Sequence, residues 1–175
     1  MWICLPTKQI ALMGLMLGMI IVLAAVESMF MPLPFMPPHV KPGFANIVVM
    51  YCVFAVGRTQ AITLNVAKSM FVFFTRGAIA GLLSLCGGML SIAVIILLSS
   101  LKKKQASYVA VSVSGACAHN FGQFVVVMLL MSTAALVYYL PILVISGVAT
   151  GLLTGILLKI LMPIVKGIST KLMKS

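Results

Sequence analysis

The chain has 175 residues, 63% of them hydrophobic, and carries a formal charge of +11 from twelve Lys and Arg against a single acid, Glu27. A chain so poor in acids cannot cover a globular surface with mixed charges, so lipid is its expected solvent. With no Asp at all, paired carboxylates, Asp-rich magnesium sites and Ser-His-Asp triads are excluded, which argues against an enzyme acting by itself.

At about 20 residues per span, the length suits one integral membrane domain, 1–175, of all-α class. The net charge invites a nucleic-acid reading, but that needs a solvated basic face. Here the cations stand singly or in short clusters between apolar runs, as topology signals and contacts to an anionic leaflet do.

In chain order, the first helix is expected over about residues 8–30. Lys8 ahead of an apolar stretch is signal-like, yet the chain that follows is itself apolar, which favours an uncleaved first helix. Residues 31–43 hold Pro32, Pro34, Pro37, Pro38 and Pro42 and cannot be regular helix. Further helices are expected over about 44–56, 59–75, 77–101, 107–136 and 140–168, the second and third short enough to form one broken hairpin. Six spans put both termini on one side, together with Lys8, Arg58, Lys102, Lys103, Lys104 and the C-terminal lysines, and leave only Lys41 and Arg76 opposite. The positive-inside rule then makes the termini cytoplasmic; five or seven spans would divide the lysine cluster from the tail.

Small residues recur at helix-packing spacing: Gly14 and Gly18 in the first helix, Gly77, Gly81, Gly87 and Gly88 in the fourth, and Gly147, Gly151 and Gly155 in the sixth. Packing within the molecule is expected of the fourth and sixth helices. Gly14 and Gly18 are equally suited to docking another membrane subunit. Cys52, Cys86 and Cys117 lie in apolar segments as packing residues, and the four cysteines form neither a CxxC pair nor a disulfide framework.

Ionisable and strongly polar groups within spans are the candidate binding residues. Asn65, Lys68 or Ser69, Val72 and Arg76 share one helical face. Two readings stand for Lys68: a structural pairing with Glu27, or contact with an anionic substrate. Arg76 is either an interfacial anchor or a ligand contact. Glu27 is read mainly as a salt-bridge partner of Lys68 or Arg76, because one carboxylate makes a poor cation site. His119 and Gln123 are four apart with Asn120 beside them, and they form either an interhelical hydrogen-bond cluster or a wall of a cavity. With His39 the only other histidine, no metal site is indicated. Ser146, Thr150 and Thr154 follow helical register and are expected to bond back to their own helix. Gly87-Gly88 lacks the Lys and Ser or Thr of a Walker sequence, so the chain cannot power transport itself.

Four segments, Lys41-Pro-Gly-Phe-Ala-Asn-Ile-Val, Leu64-Asn-Val-Ala-Lys-Ser, Leu83-Ser-Leu-Cys-Gly-Gly-Met-Leu-Ser and Ala116-Cys-Ala-His-Asn-Phe-Gly-Gln, occur in that order. Together they resemble the bacterial family labelled Gx transporter, or heptaprenyl diphosphate synthase component I, over nearly the whole chain. The transporter label implies similarity to the substrate-binding S components of energy-coupling-factor (ECF) vitamin transporters, which have six spans, cytoplasmic termini and a vitamin site near the outer face. Such proteins dock through small residues of the first helix onto a transmembrane coupling subunit driven by two ATPases; Gly14 and Gly18 stand where they carry an alanine-rich motif. On this resemblance Lys68, Arg76, His119, Asn120, Gln123, Asn46 and Glu27 would contact substrate, with Phe44 and Tyr51 packing on it, in a multi-pass protein of the bacterial cytoplasmic membrane that needs no cofactor. An anionic vitamin, a flavin or a prenyl phosphate would suit the cations. The synthase label implies instead a non-catalytic membrane partner of a prenyltransferase or, by extension, of a flavin-linked redox system.

Overall fold

A computed structural model describes the backbone of residues 7–29, 45–101, 107–131, 137–138 and 140–174, with side chains over 10–26, 45–100, 107–130, 137–138 and 140–160. Six helices follow one another: α1 (Thr7–Met29), α2 (Asn46–Ala55), α3 (Arg58–Arg76), α4 (Ala78–Leu101), α5 (Tyr108–Met131) and α6 (Leu140–Lys174). They match the expected helices in number and order, and no strand occurs among the described residues. The proline-rich segment, with Phe44, lies outside the described residues, as do the side chains of Glu27 and the C-terminal lysines.

Among the described residues, three helical stretches are long and apolar enough to cross a bilayer: Ala78–Ser100, Tyr108–Leu130 and Leu140–Ile160. At ten residues α2 rises only about 15 Å, half of the ~30 Å hydrocarbon core. Helix α3 is less apolar because one stripe is polar and turned inward: Ala61, Leu64, Asn65, Lys68, Ser69 and Val72 are all buried, at the i, i+3, i+4, i+7 spacing of a single face. Breaks at Gly57 and Gly77 separate α2, α3 and α4. Gly77 has φ 92°, a left-handed conformation that favours glycine and lets α4 turn back directly along α3. It is thus a turn residue, whereas Gly81 packs against Phe73 of α3.

The bundle is built by neighbours in sequence. Helix α6 lies on α5, α5 on α4 and α4 on α3, while α1 and α2 pack against α3. Contacts of α2 with α4 and α6 close the bundle around a central space. Met16, Ile20 and Ala24 of α1 join Val48, Val49 and Cys52 of α2, Ala61 and Leu64 of α3 and Ile92 of α4 in one core. A second core links Met50, Ile95, Val111 and Leu158 of α2, α4, α5 and α6. The opposite faces expose Leu15, Val22, Phe74, Leu129 and Ile145, as expected where the outer solvent is hydrocarbon.

Glycine determines how closely α5 and α6 approach. A Cβ at Gly147, Gly151 or Gly155 would lie 3.2, 2.5 or 2.7 Å from the Cα of Cys117, Val113 or Val109, respectively. The three glycines of α6 therefore fit against successive turns of α5, the close backbone packing that replaces hydrophobic driving force in lipid. Nothing lies within 4 Å of a Cβ built on Gly14 or Gly18. Gly151→Leu should destabilise the bundle by about 1–3 kcal/mol through overpacking, while Gly14→Leu should leave the isolated protein unchanged. Thermal unfolding in detergent measures both, and equal losses would contradict this packing.

Candidate functional site

The centre of the bundle is polar. Asn46, Val49 and Met50 of α2, Gly88, Ser91, Ile92 and Ile95 of α4, Ser112, Ala116 and His119 of α5, and Thr150 and Thr154 of α6 surround a cavity of about 20 Å³. That space holds about one water, far below the several hundred Å³ of a small-molecule site. Ser112, His119 and Thr154 are each more than nine-tenths buried. Ser112 Oγ and Thr154 Oγ1 share a 2.5 Å hydrogen bond across α5 and α6. Thr150 and Thr154 also donate to Ser146 O and Thr150 O of their own helix, at 2.7 and 2.9 Å, the expected back-bonding.

Lys68 reaches this centre from α3. Its Nζ donates to Asn46 Oδ1 at 2.5 Å, so the ammonium bridges α3 to the first residue of α2 and stands against the cavity wall. A lysine only 5% exposed needs such dipoles, because an ammonium removed from water is costly unless well solvated by its surroundings. Ser69 beside it donates to Asn65 O at 2.8 Å and to Ser84 Oγ of α4 at 3.3 Å.

Gly87 and Gly88 make the crowded middle possible. A Cβ at Gly88 would overlap the Asn65 amide, and one at Gly87 would press on His119 and Gln123. Two polar faces thus meet adjacent residues of α4, that of α3 at Gly88 and that of α5 at Gly87. Gly122 of α5 adds to the approach, with its own Cβ position 3.0 Å from Gly87 Cα. The His119 ring bonds the Gly87 backbone. Three buried atoms here, Asn65 Oδ1, His119 Nδ1 and Gln123 Oε1, have no hydrogen-bond partner among the described residues. Each is an acceptor awaiting a donor, an arrangement that native interiors rarely retain without a bound molecule or water.

The residues singled out in the sequence therefore separate. Asn46 and His119 line the cavity and Lys68 joins them through its bond to Asn46, while Asn65 and Gln123 are buried outside the lining. Asn120 faces the α5–α6 interface instead, where Nδ2 donates to Leu143 O at 2.9 Å. Arg76 sits at the end of α3 and donates to Ala24 O of α1 at 2.5 Å, away from the cavity lining. Tyr51 packs beside the two cores rather than on the cavity. The pairing of Glu27 with Lys68 or Arg76 lies outside the described side chains. Gly14 and Gly18 remain on the outer face of α1. Among the described residues no group of three His, Cys, Asp or Glu is placed to hold a metal.

Ser91 and Ser112 escaped the sequence reading. A signal was present: Ser112, Ala116 and His119 are spaced i, i+4, i+7, and Ser91 follows Gly88 by one turn, so each shares a face with a residue already singled out.

Residues 16–161 match the family model described as heptaprenyl diphosphate synthase component I. The chain belongs to that family. The match contains the whole cavity lining and Lys68. Comparison with curated proteins and with solved structures gives no match.

Asn46→Ala removes one acceptor from a buried ammonium. It should destabilise the bundle by about 1–2 kcal/mol, the scale of interhelical hydrogen bonds in membranes, when unfolding is followed in mixed micelles. An unchanged unfolding curve would show that this contact holds nothing together.

Proposed function

We propose that this family member is a membrane-embedded substrate-binding subunit, of S-component type, in an uptake transporter of the energy-coupling-factor kind. The observation that carries the reading is the enclosed polar centre, lined by Asn46, Ser91, Ser112, His119 and Thr154, with the buried Lys68 bonded to Asn46 at its wall. Three buried acceptors without partners among the described residues call for a donor, from a bound molecule or water. On this reading Lys68 attracts an anionic group of the substrate, the hydroxyls of Ser91, Ser112 and Thr154 supply further contacts, and His119 accepts a hydrogen bond from it.

The cavity must widen to admit such a molecule. Helix α2 is the wall best suited to move: it is short, and the Gly57 break connects it to α3. Asn120 and Arg76 then serve helix packing and stand outside the binding set. Gly14 and Gly18 form the docking face for a coupling subunit that brings ATPases, in a bacterial cytoplasmic membrane with both termini inside. On this reading the chain itself is non-catalytic, its 175 residues holding no Asp with which to build a magnesium–diphosphate site.

The family description favours a second reading. In it the chain is a non-catalytic membrane subunit that holds a prenyltransferase at the bilayer, and the polar centre is packing. Gentle affinity purification from the native host separates the two. Recovery of a transmembrane coupling subunit with ATPases, lost on Gly14→Leu, is the result expected; a stable complex with a soluble prenyltransferase would overturn the transport reading.

A further inference from the structure

The polar centre leaves hydrogen bonds open in one sense only. The three buried side-chain atoms without partners among the described residues, Asn65 Oδ1, His119 Nδ1 and Gln123 Oε1, are all acceptors. Asn65 Nδ2 donates to Leu85 O at 3.5 Å, which leaves Oδ1 as the open end of that amide. The His119 ring donates to the Gly87 backbone, and a neutral imidazole that donates from one nitrogen is a bare acceptor at the other, here Nδ1.

All three side chains stand against the same pair of glycines. A Cβ on Gly88 would overlap Asn65 Oδ1, so this oxygen takes the place of a side chain on a residue that lines the cavity. A Cβ on Gly87 would lie 2.9 Å from Gln123 Cγ and 3.0 Å from the His119 ring, which makes those two side chains neighbours. His119 itself lines the cavity. The charge at this centre has the opposite demand. Lys68 brings an ammonium to the wall through Asn46, and the lining contains no acid.

An occupant that satisfies both must carry negative charge for Lys68 and hydrogen-bond donors for the acceptors. Donors on an ammonium would set a second cation beside Lys68 in a low-dielectric interior, where like charges repel strongly. Neutral N–H and O–H groups avoid that repulsion. A prenyl tail supplies no donor and would leave buried acceptors unpaired, which is costly.

We propose that the substrate of this centre is an anion with a polar body, its charge held by Lys68 and its neutral hydroxyl or amide N–H donors read by Asn65, His119 and Gln123. This class rests on the substrate-binding reading above and narrows it, because it excludes prenyl phosphates and ammonium-bearing molecules. The widening that admits the substrate must then bring its donors to the Gly87–Gly88 wall.

Native mass spectrometry of the detergent-purified protein tests this with four monophosphates that share one head group. Ribose 5-phosphate and uridine monophosphate carry neutral donors, farnesyl monophosphate carries none, and phosphoethanolamine carries an ammonium. Only adducts lost on Lys68→Ala count, which removes association with the micelle. At least one of the first two should bind about tenfold or more tightly than either of the others. Gln123→Met deletes an acceptor at nearly constant length. It should weaken that adduct several-fold while thermal unfolding of the ligand-free protein stays unchanged, and Asn65→Leu tests the same wall from α3. Ligand-free stability that falls in both variants would show acceptors already satisfied by water, and would overturn the assigned class. Lys68-dependent preference for farnesyl monophosphate or phosphoethanolamine would overturn the class and leave substrate binding standing. Absence of any Lys68-dependent adduct would overturn both.

Discussion

The close approach of three helices at Gly87 and Gly88 is the constraint on which the interior depends. Without side chains at these two positions, α4 presents bare backbone to α3 on one side and α5 on the other. That brings Asn65, His119 and Gln123 into the middle of the molecule, where larger residues on α4 would hold them apart. The polar centre is thus a consequence of backbone proximity, and the same proximity supplies the dispersion contacts that hold helices together in lipid.

A bilayer makes such a centre expensive unless its groups are matched. The structure meets that demand unevenly. Ser112 pairs with Thr154, Ser69 with Ser84, and Lys68 with Asn46, each joining two different helices. Beside these matched pairs stand three buried acceptors with no partner among the described residues. The contrast is informative, because pairs that bridge helices explain stability, while unmatched acceptors need a donor from a bound molecule or water. The cavity among these groups is small, with room for about one water.

Much of this was legible in the sequence, for identifiable reasons. Helix number and order followed from long apolar runs interrupted by Gly57, Gly77 and the proline-rich and lysine-rich segments, because glycine and proline act locally. The buried stripe of α3 was readable because Asn65, Lys68 and Ser69 repeat at helical spacing in an otherwise apolar segment. The glycines of α6 declared a packing face, though not which helix would receive it. What could not be read was how residues from different helices combine. His119 and Asn120 are adjacent, yet a rotation of about 100° between them sends one to the cavity and the other to α6. Arg76 shares a face with Lys68, but its length lets it reach the carbonyl of Ala24 in α1. Ser91 and Ser112 are unremarkable alone and acquire meaning only through what surrounds them.

The central claim is that the polar centre binds an anionic small molecule through Lys68. The most direct measurement is native mass spectrometry of the protein extracted gently from its own host, recording the small molecules that remain bound to wild type and to Lys68→Ala. A negatively charged ligand retained by wild type and lost from a Lys68→Ala protein of unchanged folded yield is the result predicted. A wild-type protein with no bound small molecule, or a variant whose folded yield falls as far as its ligand content, would contradict the claim and return Lys68 to helix packing.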